Sequence, residues 1–199
     1  MTIAAFVPVL VEDGIDERGL AEAARGSADA FAVLYRRYVG RVYAFAYRRS
    51  GSRDVAEEVT SSTFERAWRA MPSFSWRGGG FSAWLFAIAA RELAAWYRRD
   101  ARHGNERAQR ALRLLHPDGG AADDEHDHVG TADDLALLRA AMSTLPDRYQ
   151  EVISLRYLAG LEAAEAAAAM GCTKAVLAVT LHRATKALRR AIECRRDSS

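Results

Sequence analysis

Residues 81–99, FSAWLFAIAARELAAWYRR, decide the fold class of this chain. Leu85, Ile88, Ala89, Leu93 and Trp96 recur three or four residues apart, so they share one face of a long helix that runs from about Phe81 to beyond Arg99. Upstream, Phe31, Leu34, Tyr38, Val42 and Phe45 repeat the same spacing between Ala28 and about Arg49, until Ser50-Gly51-Ser52 stops the pattern. Asp54 reads as the cap of the next helix, with Glu57 completing a capping box. That helix buries Ala56, Val59, Thr60, Phe64, Ala67 and Met71, and Pro72 ends it. Three consecutive glycines before Phe81 make Pro72 to Gly80 a loop. No stretch alternates as a strand does. The fold class is all-α.

Downstream the periodicity fades. HPDGGAADDEHDHVGTADD, residues 116–134, holds almost nothing apolar, and 104–134 reads as a flexible acidic linker. Leu135, Leu138 and Met142 resume helical spacing, and Thr144-Leu145-Pro146-Asp147 is a helix start because proline suits the first helical position. Helix continues to about Leu158, Gly160 turns the chain, and a short alanine-rich helix reaches Met170. Gly171 turns it again into a last helix over about 173–193. Two helices about a tight glycine turn, with small Ala167 before it and Leu177 facing inward after it, have helix-turn-helix spacing. The architecture is two small helical domains, 28–103 and 135–193, between an extension (1–27) and a tail (194–199).

Charge follows the same division. Net charge over 199 residues is only +2. Residues 28–107 hold 14 Lys/Arg against 8 Asp/Glu, and 135–199 hold 10 against 6, whereas 108–134 hold 2 against 7. Two basic blocks flank an acidic one, which a near-neutral total conceals. Cys172 and Cys194 form no close pair, as in a protein of a reducing cytoplasm. The apolar start MTIAAFVPVLVEDG is too short for a membrane span and lacks a basic lead, so no membrane insertion is expected.

Three surfaces carry candidate chemistry. The last helix turns Lys174, Arg183, Lys186 and Arg190 outward, suited to a major groove or simply to solvent. All four tryptophans crowd residues 68–96; Trp68, Phe81 and Trp96 read as core, while Phe74 and Trp76 in the glycine-rich loop do not. Arg91, Arg98 and Arg102 share a narrow arc beside these aromatics, as single-stranded nucleic acid requires, or as a solvated face permits. The 54–71 helix exposes Glu57, Glu58, Ser61, Ser62, Glu65 and Arg69, a side unsuited to DNA and open to a basic protein or to water. His126-x-His128 among aspartates reads as solvated linker, and no phosphate loop or nucleophile motif occurs; neither metal nor cofactor is expected and the chain is not read as an enzyme.

In order, DVAEEVTSSTFERAW, FSAWLFAIAARELAAWYRR, TLPDRYQEVISLRYLAGLEAAEAAAAMG and LHRATKALR resemble the extracytoplasmic-function group of the sigma-70 family of RNA polymerase sigma factors, over about 28–103 and 135–192. The resemblance implies a sigma-2-like and a sigma-4-like domain. Glu57, Glu58, Ser61, Ser62 and Glu65 would dock on the clamp helices of the β′ subunit of core RNA polymerase. Phe74, Trp76 and Arg77 would line a pocket for an unstacked base of the −10 element, with Arg91, Trp96, Arg98, Arg99 and Arg102 along the strand. Lys174, Ala178, Thr180, Arg183 and Lys186 would face the −35 element, and the same domain would touch the β flap. Promoter DNA and an anti-sigma factor are the other implied partners.

Departures accompany the resemblance. Ser61-Ser62 stand where Gln-Asp or Gln-Glu is usual, and Ala90, Arg91 and Ala95 differ from common residues on the strand-reading helix. Ala178, Val179 and Thr180 replace a cation-rich triplet, and GLEAAEAAAAMG lacks the usual aromatic and isoleucine. The −35 contact is therefore expected to be weaker than the −10 contact. A helix-turn-helix regulator of duplex DNA acting without polymerase is the competing reading.

Overall fold

Small residues at the chain's turning points set the helix boundaries. In the computed structural model, which describes residues 16–114 and 132–196, Ser27 caps α2 (Ala28–Ser50) by accepting from the Ala30 N–H. Gly51 closes the same helix in the left-handed region, with φ 74°. Ser52 caps α3 (Arg53–Ala70) by accepting from the Val55 N–H. The cap expected at Asp54 therefore stands two residues earlier: Asp54 lies in the first turn, where its charge meets the positive end of the helix, and Glu57 belongs to no capping box. Replacing Ser52 by Ala is expected to cost about 1 kcal/mol, measured by denaturant unfolding.

A one-turn 3-10 segment, Met71–Ser73, carries Pro72 and leads into the loop before α4 (Gly80–Leu114). That helix outruns the expected module boundary at His103 by about three turns. Residues 104–114 are nearly all Arg, Ala, Glu, Gln and Leu, strong helix formers whose summed preference outweighs the roughly 1 kcal/mol cost of Gly104. Of the expected linker, 104–114 and 132–134 are helical, and 115–131, with His126 and His128, lie outside the described residues.

The first module closes around Leu34, Val42, Phe45, Val59, Met71, Phe81, Leu85 and Phe86, all fully buried. Edge-to-face ring pairs, Phe45 with Phe86 and Tyr38 with Phe81, sit at 5.6 and 5.4 Å. Trp68, expected in this core, is 46 % exposed and makes an edge contact with Phe31 at 4.9 Å. Part of the N-terminal extension belongs to the module: α1 (Glu17–Ala23), capped by Asp16, buries Leu20 and Ala21 against α2. Burial, and then the Glu17 carboxylate, hold the Tyr38 phenol well above its ordinary range.

In the second module α5 (Ala132–Ser143) precedes α6 (Asp147–Ile153), which widens into a π-helical turn at Ser154–Leu158. Gly160, at φ 69°, turns the chain into α7 (Ala163–Ala169), and Gly171, at φ 62°, turns it into α8 (Lys174–Arg196). Both turns fall where glycine, with no Cβ to clash, was expected. Leu177 and Ala184 of α8 are buried against the rest of the module, as the helix-turn-helix spacing requires. The modules pack together, α7 on α4 and the π-helical turn on α2.

Candidate nucleic-acid interface

On α3 the exposed side carries Glu57, Glu58, Ser61 and Glu65, with Ser62 half-buried beside them. Opposite, Val55, Ala56, Val59, Thr60, Thr63, Phe64 and Ala67 are buried, so core packing turns the acidic stripe outward. One of its members is committed. Glu58 accepts the Trp96 indole N–H at 3.0 Å and an Arg99 guanidinium N–H at 2.7 Å. Trp96 is therefore half-buried and tied to the acidic face of α3, and Arg99 shares its charge with Glu58.

Of the three residues expected to line a pocket, Phe74 and Arg77 line a cavity before α4 and Trp76 is not among its lining residues. Phe74 is only 3 % exposed, boxed by Trp76, Phe81 and Trp84 with ring centroids 6.4, 5.9 and 5.0 Å away. It is core, because the turn at Met71–Ser73 drops its ring onto the first turn of α4. Trp76 is half-buried and lies over Gly80, where any Cβ would stand 3.2 Å from the indole. Gly80 has φ 68°, so space and backbone both call for glycine there. Arg77 is exposed. A cavity of about 310 Å³ opens beside the loop, lined by Phe74, Arg77, Trp84 and Arg91 and bordered by Ala168 of α7, with Trp76 outside its lining.

Along α4, Arg91, Arg98, Arg99 and Arg102 are all exposed, and Arg102 Nε donates to the Arg98 carbonyl at 3.2 Å. Arg91 and Arg98 form one wall of a cleft of about 620 Å³; Asp147 and Glu151 of α6 form the other. Burial pushes the Glu151 carboxyl up, while Arg91 and Arg148 pull it down. The α6 carboxylates thus face the cations that the sequence offers to a DNA strand.

The seam beside this cleft was not foreseen. Arg49, in the last turn of α2, is 5 % exposed. It donates to the Tyr97 hydroxyl at 3.3 Å and to Gln150 Oε1 of α6, with its guanidinium 4.8 Å from the Tyr97 ring centroid. Tyr97 in turn donates to the Arg49 carbonyl at 2.9 Å. Burial lowers the Arg49 pKa and raises that of Tyr97. Ser82 donates to Glu165 of α7 at 2.6 Å, and a Cβ on Gly79 would lie 2.6 Å from the Ala168 methyl. An arginine ending a helix beside another arginine looks like ordinary solvation in sequence; its burial against Tyr97 and its bond across the modules to Gln150 single it out.

On α8, Lys174, Ala178, Arg183 and Lys186 are exposed, and Thr180 is half-buried with its hydroxyl donating to the Val176 carbonyl at 2.7 Å. Among the described residues no group of three or more His, Cys, Asp or Glu is placed to hold a metal.

Residues 34–103 match sigma-70 region 2, and residues 135–188 match sigma-70 region 4. The ECF RNA polymerase sigma factor BldN of Streptomyces coelicolor is 35 % identical over 168 residues, 84 % of this chain and 62 % of BldN. This chain belongs to the extracytoplasmic-function group of the sigma-70 family. Region 2 therefore covers most of α2, α3, the loop before α4 and α4 as far as residue 103, and region 4 falls within α5 to α8. SigD of Mycobacterium tuberculosis is 34 % identical over 68 % of this chain and 60 % of SigD, so the chain spans about three-fifths of the length of these two relatives. Among solved structures, CnrH in complex with the cytosolic domain of CnrY matches with a TM-score of 0.62 at 25 % identity, covering 89 % of this chain and 97 % of CnrH. RpoE from Bartonella quintana, solved with the anti-sigma factor NepR, shares the fold at a TM-score of 0.60 and 22 % identity, covering 83 % and 98 % of the two chains.

Proposed function

We propose that this chain is a promoter-specificity subunit that docks on core RNA polymerase through α3 and opens the −10 element with the loop and arginines of α4. The observation that carries the reading is the division of one module into two unlike surfaces. An acidic and polar stripe on α3 meets α4 at one edge, where Glu58 holds Trp96 and Arg99, while Arg77 and Arg91 line a separate cavity with Phe74 and Trp84. A duplex-binding regulator has no use for the second surface. A base lifted from its stack costs a few kcal/mol, which stacking on Trp76 or Trp84 and hydrogen bonds to its edge offset. The β′ clamp helices, the β flap and promoter DNA are the partners, and the chain acts in the cytoplasm and catalyses no reaction itself. CnrH was solved with the cytosolic domain of CnrY and RpoE with the anti-sigma factor NepR, and an anti-sigma partner is the corresponding reading here.

Because Asp147 and Glu151 face Arg91 and Arg98 across the cleft, the promoter strand and region 4 compete for the same cations. The modules must part before the −10 strand can lie along α4.

Run-off transcription with core polymerase tests the reading; absence of any promoter-specific transcript would sink it. A finer test concerns α3. Reversing Glu57 and Glu65 to Lys, with Glu58 left to hold Trp96 and Arg99, is expected to weaken core binding about tenfold or more, chiefly through the association rate at low salt. Unchanged co-elution with core polymerase would move the docking surface elsewhere.

A further inference from the structure

The first half of the DNA-facing helix presents hydrocarbon to solvent. Val176 and Val179 are 44 % and 52 % exposed, and Ala175 and Ala178 are exposed beside them. At about 100° per residue, Ala175, Val179, Val176 and Thr180 fall within an arc of about 140°, with Arg183 and Lys186 further along it. Leu177 and Ala184 point to the opposite side, into the module. Thr180 is no exception to the apolar run, since its hydroxyl is already engaged by the Val176 carbonyl. These residues line a groove of about 540 Å³ whose other walls are Tyr149 and the cations Arg148 and Arg183, with no carboxylate among the lining residues.

This arrangement is costly unless something covers it. β-branched residues on an exposed helix face lose rotamer freedom and gain no burial. The surrounding charge selects the occupant: cations at the rim with no acid between them fit a polyanion and repel a basic surface. Recognition helices read bases with their N-terminal residues, where Ala175, Val176 and Val179 stand. In the major groove guanine shows two acceptors and cytosine a donor, which aliphatic side chains would desolvate and leave unpaired. Thymine alone offers a methyl group.

We infer that Val176 and Val179, with Ala175, read thymine methyl groups in the −35 element, so that this chain's upstream element carries T·A pairs where relatives with a cationic triplet would read guanine. Arg148, Arg183 and Lys186 hold the flanking phosphates. The inference rests on the sigma-factor reading and specifies its duplex contact. The three departures Ala178, Val179 and Thr180 then mark a changed specificity as well as lost charge.

The test uses the full chain with core polymerase and duplexes selected from a library randomised over the promoter length. An upstream block with thymines is expected, and remaking the selected duplex with deoxyuridine in that block removes only the methyl groups. Each methyl lost is expected to weaken holoenzyme binding about fourfold, the worth of one buried methylene. The effect is expected to vanish in the V176S/V179S double variant, whose positions are exposed and so leave the fold intact. Equal binding of thymine and uracil duplexes by the wild-type chain, or a G·C-rich upstream block, overturns the inference and leaves the groove to a protein. Enrichment of a −10 block alone also overturns it without touching the sigma-factor reading. Enrichment of no block at all defeats that reading, and this inference with it.

Discussion

Replacing Trp76 by Ala is expected to slow open-complex formation about tenfold or more while leaving core binding within about twofold of the parent. The indole is half-buried over Gly80 in the loop before α4, and one base–aromatic stack contributes about 1–3 kcal/mol, a factor of roughly five to 150. Permanganate reactivity of thymines in the −10 region, followed against time, separates opening from binding. Phe74 cannot be paired with Trp76 in this experiment. At 3 % exposure, inside a box of three rings, Phe74→Ala removes core and is expected to cost about 3–5 kcal/mol. Against a typical total of about 5–15 kcal/mol, that would unfold much of the module at physiological temperature. A double variant would lose polymerase binding and strand opening together for a reason unrelated to base capture. If Trp76→Ala alone impairs both equally, the indole serves packing over Gly80 and the assignment to base capture fails.

The second large effect lies at the seam between the modules. Arg49→Met keeps the aliphatic stem but strips the hydrogen bonds to Tyr97 and Gln150, each to a buried charged donor, at an expected cost of about 2–3 kcal/mol. Gly79→Ala acts on the same seam from the other end, where a new methyl would overlap those of Ala83 and Ala168. Both variants are expected to increase the radius of gyration of the free chain in small-angle scattering. Both are also expected to raise its affinity for a single-stranded −10 oligonucleotide several-fold, because Arg91 and Arg98 no longer face Asp147 and Glu151. The gain should shrink as salt rises, since the competition is electrostatic. Scattering and affinity identical to the parent would show that the seam does not govern access to α4.

The seam also gives the alanine run in GLEAAEAAAAMG a physical role. Measured against relatives, the missing aromatic and isoleucine looked like a weakened helix-turn-helix. In the folded chain Ala166, Ala167 and Ala169 are buried, and Ala168 meets Gly79 of the loop before α4. Small side chains let α7 lie close on α4, where larger ones would hold the modules apart.

Periodic residues were readable in the sequence because burial imposes a repeat. Leu34, Val42, Phe45, Val59, Phe64, Leu85 and Leu93 fall at helical spacing and all are buried. Glycine turns were readable for a related reason: Gly51, Gly160 and Gly171 adopt backbone angles that other residues reach only with strain. The acidic stripe of α3 and the arginines of α4 followed as the faces left over once the apolar positions were placed. Ends of elements were less legible. Ser52 and Asp54 are equally good caps by residue type, and which one binds a free N–H depends on a backbone path that no local pattern encodes.

By itself, then, the sequence determined an all-α chain of two modules with an acidic stripe, an aromatic loop, a stripe of arginines and a helix-turn-helix. These properties are local, set by spacing along a helix and by backbone freedom at single residues. Tertiary structure alone decided that Phe74 is buried while Trp76 is half-exposed over Gly80, that Glu58 is engaged by Trp96 and Arg99, and that Arg49 joins the modules through Gln150, 101 residues further along the chain. It also decided that the α6 carboxylates confront the arginines of α4. Each of these depends on which surfaces meet across long sequence separations, and shape and charge complementarity of that kind leave no periodic trace in a single chain.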